Sequence, residues 1–183
     1  MSGLVGDNLA RASGVIASAG GGTILSVKSM KVTSTVSNSG TAPTQISAFD
    51  MSFAPTTSDG KLYFQLCTNV CGSGDGPTAG YFYDVTNSAQ IGAFADTGGS
   101  RLRCSWGGNI RGTYYYQNVN FGTWHEPGTT NSIDYAVFGN NHSSTTMYIN
   151  RTGTDANNAG IEVARTASTF TITEYAASAV TLT

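Results

Sequence analysis

The sequence predicts an all-β protein built from short antiparallel strands. Its 183 residues include 23 Gly, 20 Ser, 25 Thr and 13 Asn, so nearly half of the chain is small, hydroxylated or turn-forming. Thr favours strands, whereas Gly, Ser and Asn weaken helices and favour turns. Strong helix formers are scarce, with 3 Lys, 3 Glu, 4 Gln and 7 Leu. This composition excludes all-helical and coiled-coil proteins, and it excludes a doubly wound α/β enzyme, which needs several long helices.

Charge and hydrophobicity narrow the class of protein further. Hydrophobic residues make up 39% of the chain, which is enough to build a core and argues against disorder. The formal net charge is −2 with no basic run, so we expect no nucleic-acid partner. The longest apolar stretches are only a few residues, so we expect no membrane span. The N-terminus lacks the charged segment followed by an apolar segment that is typical of a secretory signal peptide. We therefore expect synthesis in a reducing cytoplasm.

The first 22 residues differ from the remainder. Asp7 can cap a short turn, and Ser18–Gly22 supplies a glycine-rich hinge. A segment of this size has no core of its own, so we predict an extended arm (1–22) that docks on a partner, followed by one β domain (23–183). The apolar residues expected to make the docking contacts are Leu4, Val5, Leu9, Val15 and Ile16.

From Thr23 onward the pattern is that of short strands separated by turns. A long strand is predicted over 24–36, followed by one over 47–53 that Pro55 ends. Leu62, Phe64 and Leu66 alternate along a third. Further strands are predicted over 80–86, 89–95, 101–106, 112–121, 131–138, 145–150, 160–165 and 169–175. A spacing of about 10 residues indicates an antiparallel sandwich or barrel, without any helix of three turns. Residues 71–77 and 153–160 are predicted surface loops.

Three cysteines are present, Cys67, Cys71 and Cys104. We expect three buried thiols that act as small hydrophobes, with a Cys67–Cys71 disulfide across a turn as the alternative. A zinc site is not expected, because the Cys-x3-Cys spacing has no matching second pair. No metal or other cofactor is therefore predicted.

The residues suited to catalysis are few. Only His125 and His142 offer an imidazole, the glutamates number three, and no nucleophile or phosphate-loop motif occurs. The segment 124–127 (Trp-His-Glu-Pro) is best explained as a polar loop. We therefore expect a protein that is not an enzyme.

Tyrosines offer the clearest candidate contact surface. Alternation along the predicted strand 112–121 places Tyr114 and Tyr116 on one face and Tyr115 on the other. One face can belong to the core, while the other meets solvent, a second subunit or a ligand. Exposed aromatic side chains are typical of protein interfaces and sugar sites, so Tyr114, Tyr115, Tyr116 and Trp124 are the candidate interface or glycan contacts.

Several segments resemble small virion proteins of tailed bacteriophages, mostly from marine and freshwater phages and described as tail-fibre or structural proteins. The matching residues are Met1–Gly6, Gly20–Gly22 leading into Ile24-Leu25-x-Val27, Phe53–Leu62, Met147–Asp155 and Arg165–Glu174. The resemblance implies an antiparallel jelly-roll β-sandwich that forms a homotrimer and sits on the virion through an extended N-terminal arm.

The function that this resemblance implies is structural. The first hypothesis is a non-enzymatic capsid cement or decoration protein of the virion, whose arm docks on the major capsid protein or a tail component. The alternative is a short tail-fibre or spike module that binds a host surface glycan. The alternative predicts tyrosines and Asn or Asp residues grouped at the end of the sandwich away from the arm.

Overall fold

The computed structural model describes residues 23–92, 99, 102–141, 145–157, 159–160 and 163–182. The predicted arm (1–22) with its docking residues Leu4, Val5, Leu9, Val15 and Ile16 lies outside the described residues, as does His142. The described part is all-β, which confirms the predicted class. Its helical residues all belong to 3₁₀ turns, among them Ser47–Phe49 and Ala177–Ala179. No helix in this part is long and apolar enough to cross a membrane.

Twelve strands form two antiparallel six-stranded sheets in the described chain, consistent with a β-sandwich. The strands are β1 (Ile24–Val32), β2 (Val36–Asn38), β3 (Thr44–Gln45), β4 (Met51–Phe53), β5 (Lys61–Gly72), β6 (Gly76–Asp84), β7 (Ala89–Ile91), β8 (Trp106–Ile110), β9 (Gln117–His125), β10 (Ile133–Asn141), β11 (Met147–Ile149) and β12 (Ser168–Tyr175).

The first sheet is organised around β5, the longest strand. Strand β5 pairs with β9 on one side; on its other side it pairs first with β12 and then with β11. Strand β1 follows β12, and β2 follows β11. In the second sheet β10 and β6 lie side by side, β3 and β4 extend β10, and β7 and β8 extend β6.

The core lies between the two sheets and is aromatic at its centre. Leu62, Phe64 and Leu66 are at most 1% exposed, which confirms the predicted alternation along β5. The ring of Phe64 packs 5.5 Å from Phe82 and 4.9 Å from Tyr135, both of which belong to the opposite sheet. Aromatic contacts of this kind join the two layers.

Several predicted strands end or begin elsewhere. The strand predicted over 24–36 ends at Val32, and a separate strand starts at Val36. The prediction over 47–53 was wrong in its first half: Phe49, Met51 and Phe53 are all buried, but Ser47–Phe49 is a 3₁₀ turn. The 3₁₀ turn directs Phe49 into the core. Buried and exposed residues therefore alternate along this segment as they would along a strand.

Further predictions failed around glycine. The loop predicted over 71–77 is a short connection, since β5 continues to Gly72 and β6 starts at Gly76. The strand predicted over 101–106 is displaced to Trp106–Ile110. The strand predicted over 160–165 is absent from the described part of that segment.

The cysteines are all free thiols, and only Cys71 is buried. Cys67 and Cys71 lie on the same strand, β5, with no turn between them. A disulfide across a turn, the alternative considered from the sequence, is therefore excluded by the position of the two residues. Cys67 and Cys104 are partly exposed, which corrects the expectation that all three are buried.

Candidate binding site at one end of the sandwich

The three consecutive tyrosines lie in the turn between β8 and β9. The prediction that they belong to a strand over 112–121 was wrong, because β9 begins only at Gln117. Gly112 adopts a φ of +60°, a left-handed conformation that glycine tolerates and that reverses the chain after β8. The tyrosines therefore do not alternate across a sheet, and their exposure follows from the shape of the turn.

Two of these tyrosines project into solvent and one anchors the turn. Tyr115 is 68% exposed and Tyr114 is 51% exposed. Tyr116 is half-buried and its hydroxyl donates a hydrogen bond to the carbonyl oxygen of Ala164. Burial, above all, raises the pKa of Tyr116, so its phenol stays neutral. Tyr114 and Tyr115 are thus the side chains free to contact a partner.

Contacts with two neighbouring segments hold the backbone of this turn. The amide of Gly112 donates to Oδ1 of Asp75 at 2.6 Å. The amide of Gly153 donates to the carbonyl oxygen of Thr113 at 2.9 Å. Because the backbone is tied down while two rings remain exposed, the rings form a preorganised surface that loses little entropy on binding.

A groove of about 560 Å³ opens beside the turn. It is lined by Asn109, Arg111, Tyr115, Tyr116 and Gln117. It lies where β8 of one sheet meets β9 of the other, and among the described strands each of these has a partner on one side only. The volume falls within the range of small-molecule sites, roughly 300–1,000 Å³.

Two polar groups of the groove, on Arg111 and Gln117, have no hydrogen-bond partner among the described residues. Arg111 is exposed and makes no hydrogen bond or ion pair with any described residue. Oε1 of Gln117 is enclosed and accepts no hydrogen bond in the described part of the chain. An enclosed acceptor without a partner costs roughly 1–3 kcal/mol.

This groove lies at the end of the sandwich away from the start of the domain. Ile24, at the start of β1, pairs with Tyr175, and Tyr175 pairs with Lys61 at the start of β5. Gln117 pairs instead with Val70, near the other end of β5. Val70 lies nine positions after Lys61 along an extended strand, which corresponds to about 30 Å.

Trp124 does not belong to this site, contrary to its grouping with the tyrosines. It lies on β9 near the other end of the sandwich, with ring centroids 4.8 Å from Tyr63 and 5.3 Å from Tyr175. The groove also contains Asn109, Arg111 and Gln117, which were not among the residues predicted from the sequence. The available signal was an arginine followed by a turn glycine directly before three tyrosines.

The predicted polar loop at 124–127 is partly strand, because β9 continues through His125. The Nε2 atom of His125 is buried without a hydrogen-bond partner in the described chain, and the imidazole packs between Phe64 and Tyr135. Burial, opposed by Asp84 and Glu126, lowers the pKa of His125. The imidazole therefore faces the core rather than an open cleft.

A second depression, of about 730 Å³, is lined by Asp155, Ala156, Asn157, Ala159, Gly160, Val163, Ala164 and Arg165. Its charges are already satisfied internally, because Asp155 pairs with Arg151 at 3.7 Å and with Arg165 at 3.1 Å. Across the described residues no three His, Cys, Asp or Glu side chains come together as a metal site would require. The groove beside Tyr115 is therefore the better candidate site.

Comparison with known proteins gives no further assignment. No protein-family model matches the chain, and no curated protein is significantly similar to it.

Proposed function

We propose that the protein is a non-enzymatic structural protein of a phage virion, attached through residues 1–22, whose sandwich binds a host surface glycan at the end away from this attachment. The observation that carries the proposal is the groove at the β8–β9 turn, with Tyr115 68% exposed at its edge. The resemblance of the sequence to small phage virion proteins supplies the biological setting.

The chemistry of the groove suits a sugar. The face of an aromatic ring stacks on the apolar face of a pyranose, and amide side chains hydrogen-bond its hydroxyls. Tyr115 supplies such a ring, while Asn109 and Gln117 supply amides beside it. The tyrosines and Asn109 group at the end of the sandwich away from the start of β1, which agrees with the receptor-binding hypothesis, so we rank it above the cement hypothesis.

The strand order supports a jelly roll as the finer fold class. One sheet contains the run β1-β12-β5-β9 and the other contains β4-β10-β6-β7. Two interleaved four-stranded sheets of this kind characterise jelly rolls, which are common in viral capsid and lectin domains.

The proposal is tested by host adsorption. Purified full-length protein is expected to bind host cells and to compete with virions, and the double variant Tyr114→Ala/Tyr115→Ala is expected to lose both activities. Val85→Ala is the control, because Val85 is also exposed but lies after β6 near the opposite end of the sandwich. Equal binding by the double variant and wild type would contradict the proposal.

A cement or decoration role in a homotrimer is the second candidate, and the outer face of the first sheet favours it. Where β1, β5, β9 and β12 pair, its positions are Val27, Ser29, Lys31, Lys61, Tyr63, Gln65, Cys67, Asn69, Asn118, Asn120, Gly122, Trp124, Thr169, Thr171, Thr173 and Tyr175. Three of these side chains, Tyr63, Trp124 and Tyr175, form a cluster of aromatic rings. Aromatic residues are enriched in protein interfaces.

The cement role is tested by deleting residues 1–22 and by locating the protein in an electron-microscopy map of the particle. The truncated chain, which retains both sheets, is expected to fold but not to decorate particles. A shell location with trimeric density would support the cement role, whereas density at a tail tip would support receptor binding. Decoration by the truncated chain would contradict docking through the arm.

A further inference from the structure

We infer that the groove at the β8–β9 turn selects a carboxylate-bearing sugar, with Arg111 holding the carboxylate. The inference rests on the proposed glycan-binding function and specifies its ligand class. Arg111 gives the groove a positive charge, and from this we infer a negatively charged ligand.

Arg111 is the one charged side chain among the described residues that line the groove. Three other cations of the described chain are engaged in ion pairs: Asp155 pairs with both Arg151 and Arg165, and Lys61 pairs with Glu126 at 2.5 Å. Arg111 has no such partner. An exposed guanidinium left free beside exposed aromatic rings retains its full capacity for a ligand anion.

A nearby acid does not neutralise Arg111. The carboxylate of Asp75 accepts a hydrogen bond from the amide of Gly112, the residue after Arg111, but it forms no ion pair with the guanidinium within 4.0 Å. Asp75 therefore fixes the backbone of the turn and leaves the cation available.

The shape of the guanidinium favours a carboxylate. Its planar fork of N–H donors matches the two oxygens of a carboxylate, and hydrogen bonds between ionised partners are about twice as strong as neutral ones. Tyr115 then contacts the sugar ring, and the amides of Asn109 and Gln117 contact hydroxyls. A uronic acid or another acidic sugar satisfies all three groups together, whereas a neutral sugar leaves Arg111 unused.

The test uses matched probes that differ only in charge. Oligomers of galacturonate, of glucuronate and of sialic acid are titrated against the full chain by calorimetry, each beside its neutral methyl ester. We expect at least one acid to bind about 10- to 100-fold more tightly than its ester, the gain of one charged hydrogen-bonded pair. Raising the salt from about 50 mM to about 500 mM is expected to weaken the acid and leave the ester unchanged.

Variants separate this inference from the proposed function. Arg111→Gln is expected to bind acid and ester equally, Arg111→Lys to recover part of the preference, and Tyr115→Ala to weaken both probes. Equal binding of acid and ester by wild type would overturn the carboxylate inference and leave glycan binding standing. Tighter binding of a glycerol-phosphate polymer than of any acidic sugar would also overturn it. Failure of every saccharide to bind would overturn both.

Discussion

Glu174 is the residue whose replacement tests the packing of the sandwich most sharply. It lies on β12 and is completely buried. Its Oε1 accepts hydrogen bonds from the amides of Thr56 at 2.7 Å and Thr57 at 3.1 Å, while its Oε2 accepts from the hydroxyls of Ser26 at 2.7 Å and Thr56 at 2.8 Å. One carboxylate thus joins β1, β12 and the connection before β5.

The cost of removing this carboxylate follows from its partners. Glu174→Ala leaves two backbone amides without an acceptor, at roughly 1–3 kcal/mol each, so the free energy of unfolding is expected to fall by about 2–6 kcal/mol. Glu174→Gln keeps one acceptor for the amides, and the hydroxyls can rotate to accept from its NH₂ group. We therefore expect the Gln variant to lose only about 1–2 kcal/mol.

The pH dependence of the same residue gives an independent readout. Burial alone would raise the pKa of Glu174, but hydrogen bonds from Ser26, Thr56 and Thr57 outweigh it and lower the pKa. A carboxyl whose pKa is lower in the folded state stabilises the fold above its ordinary pKa of about 4.5. That contribution is lost as the pH falls below this value, and the Gln variant is expected to lack this loss.

Urea unfolding followed by tryptophan fluorescence at pH 7 and at lower pH measures both effects. Glu126→Gln is the matched control, because the Glu126 side chain is 54% exposed and its ion pair with Lys61 lies at the surface. It is expected to change stability by at most about 0.5 kcal/mol. An Ala variant within about 0.5 kcal/mol of wild type would contradict a structural role for the Glu174 carboxylate.

Three further predictions concern the packing of the two sheets. Gly80→Ala is expected to destabilise the protein by about 1–3 kcal/mol in urea unfolding, since a Cβ at this position would lie 2.4 Å from the ring of Trp106. Gly107→Ala is the control and is expected to be tolerated, because the nearest atom to its Cβ would be 3.6 Å away. Asn150→Ala is expected to cost about 2–4 kcal/mol, because two buried hydrogen bonds and one partly buried one are lost and φ is +60°. Asn150→Gly is expected to remove the part of this cost that comes from the positive φ, and an unchanged unfolding midpoint for the Ala variant would contradict the role of the side chain. Because the pKa of His125 is lower in the folded state, the free energy of unfolding is expected to decrease as the pH falls below about 6.5. The variant His125→Phe is expected to show a weaker dependence of this free energy on pH. The same pH dependence in the variant and in wild type would contradict the role of His125.

The all-β class could be predicted because composition and alternation both report on burial. Leu62, Phe64 and Leu66 alternate because one face of β5 meets the core and the other does not. Burial alone does not specify the backbone, however. Phe49 is as buried as Phe53, yet it sits in a 3₁₀ turn rather than a strand.

Glycine explains the predictions that failed elsewhere. Strand β8 contains Gly107 and Gly108, which have low strand propensity, so its pattern was not recognised. Gly108 is needed there because a Cβ would meet the side chain of Gln117 at 1.9 Å. Such close approaches between distant segments depend on the fold and leave no local signal.

The candidate site shows the same limit. The tyrosine run itself was visible in the sequence, since exposed aromatics suit binding. Its position at the far end of the sandwich follows from the pairing of Gln117 with Val70, a contact between residues distant in sequence. Arg111 and Tyr115 likewise come together because the chain turns at Gly112. The sequence predicted an extended strand over 112–121 instead of this turn.

Glycan binding at the β8–β9 turn is tested most directly by mapping where a host glycan contacts the protein. Chemical shifts of the full chain are recorded during titration with fragments of the surface polysaccharide from a susceptible host. We expect the perturbed residues to cluster at Asn109–Gln117, with the Tyr114 and Tyr115 rings shifting most. Perturbation confined to the opposite end, around Trp124, or no perturbation at saturating polysaccharide, would contradict it.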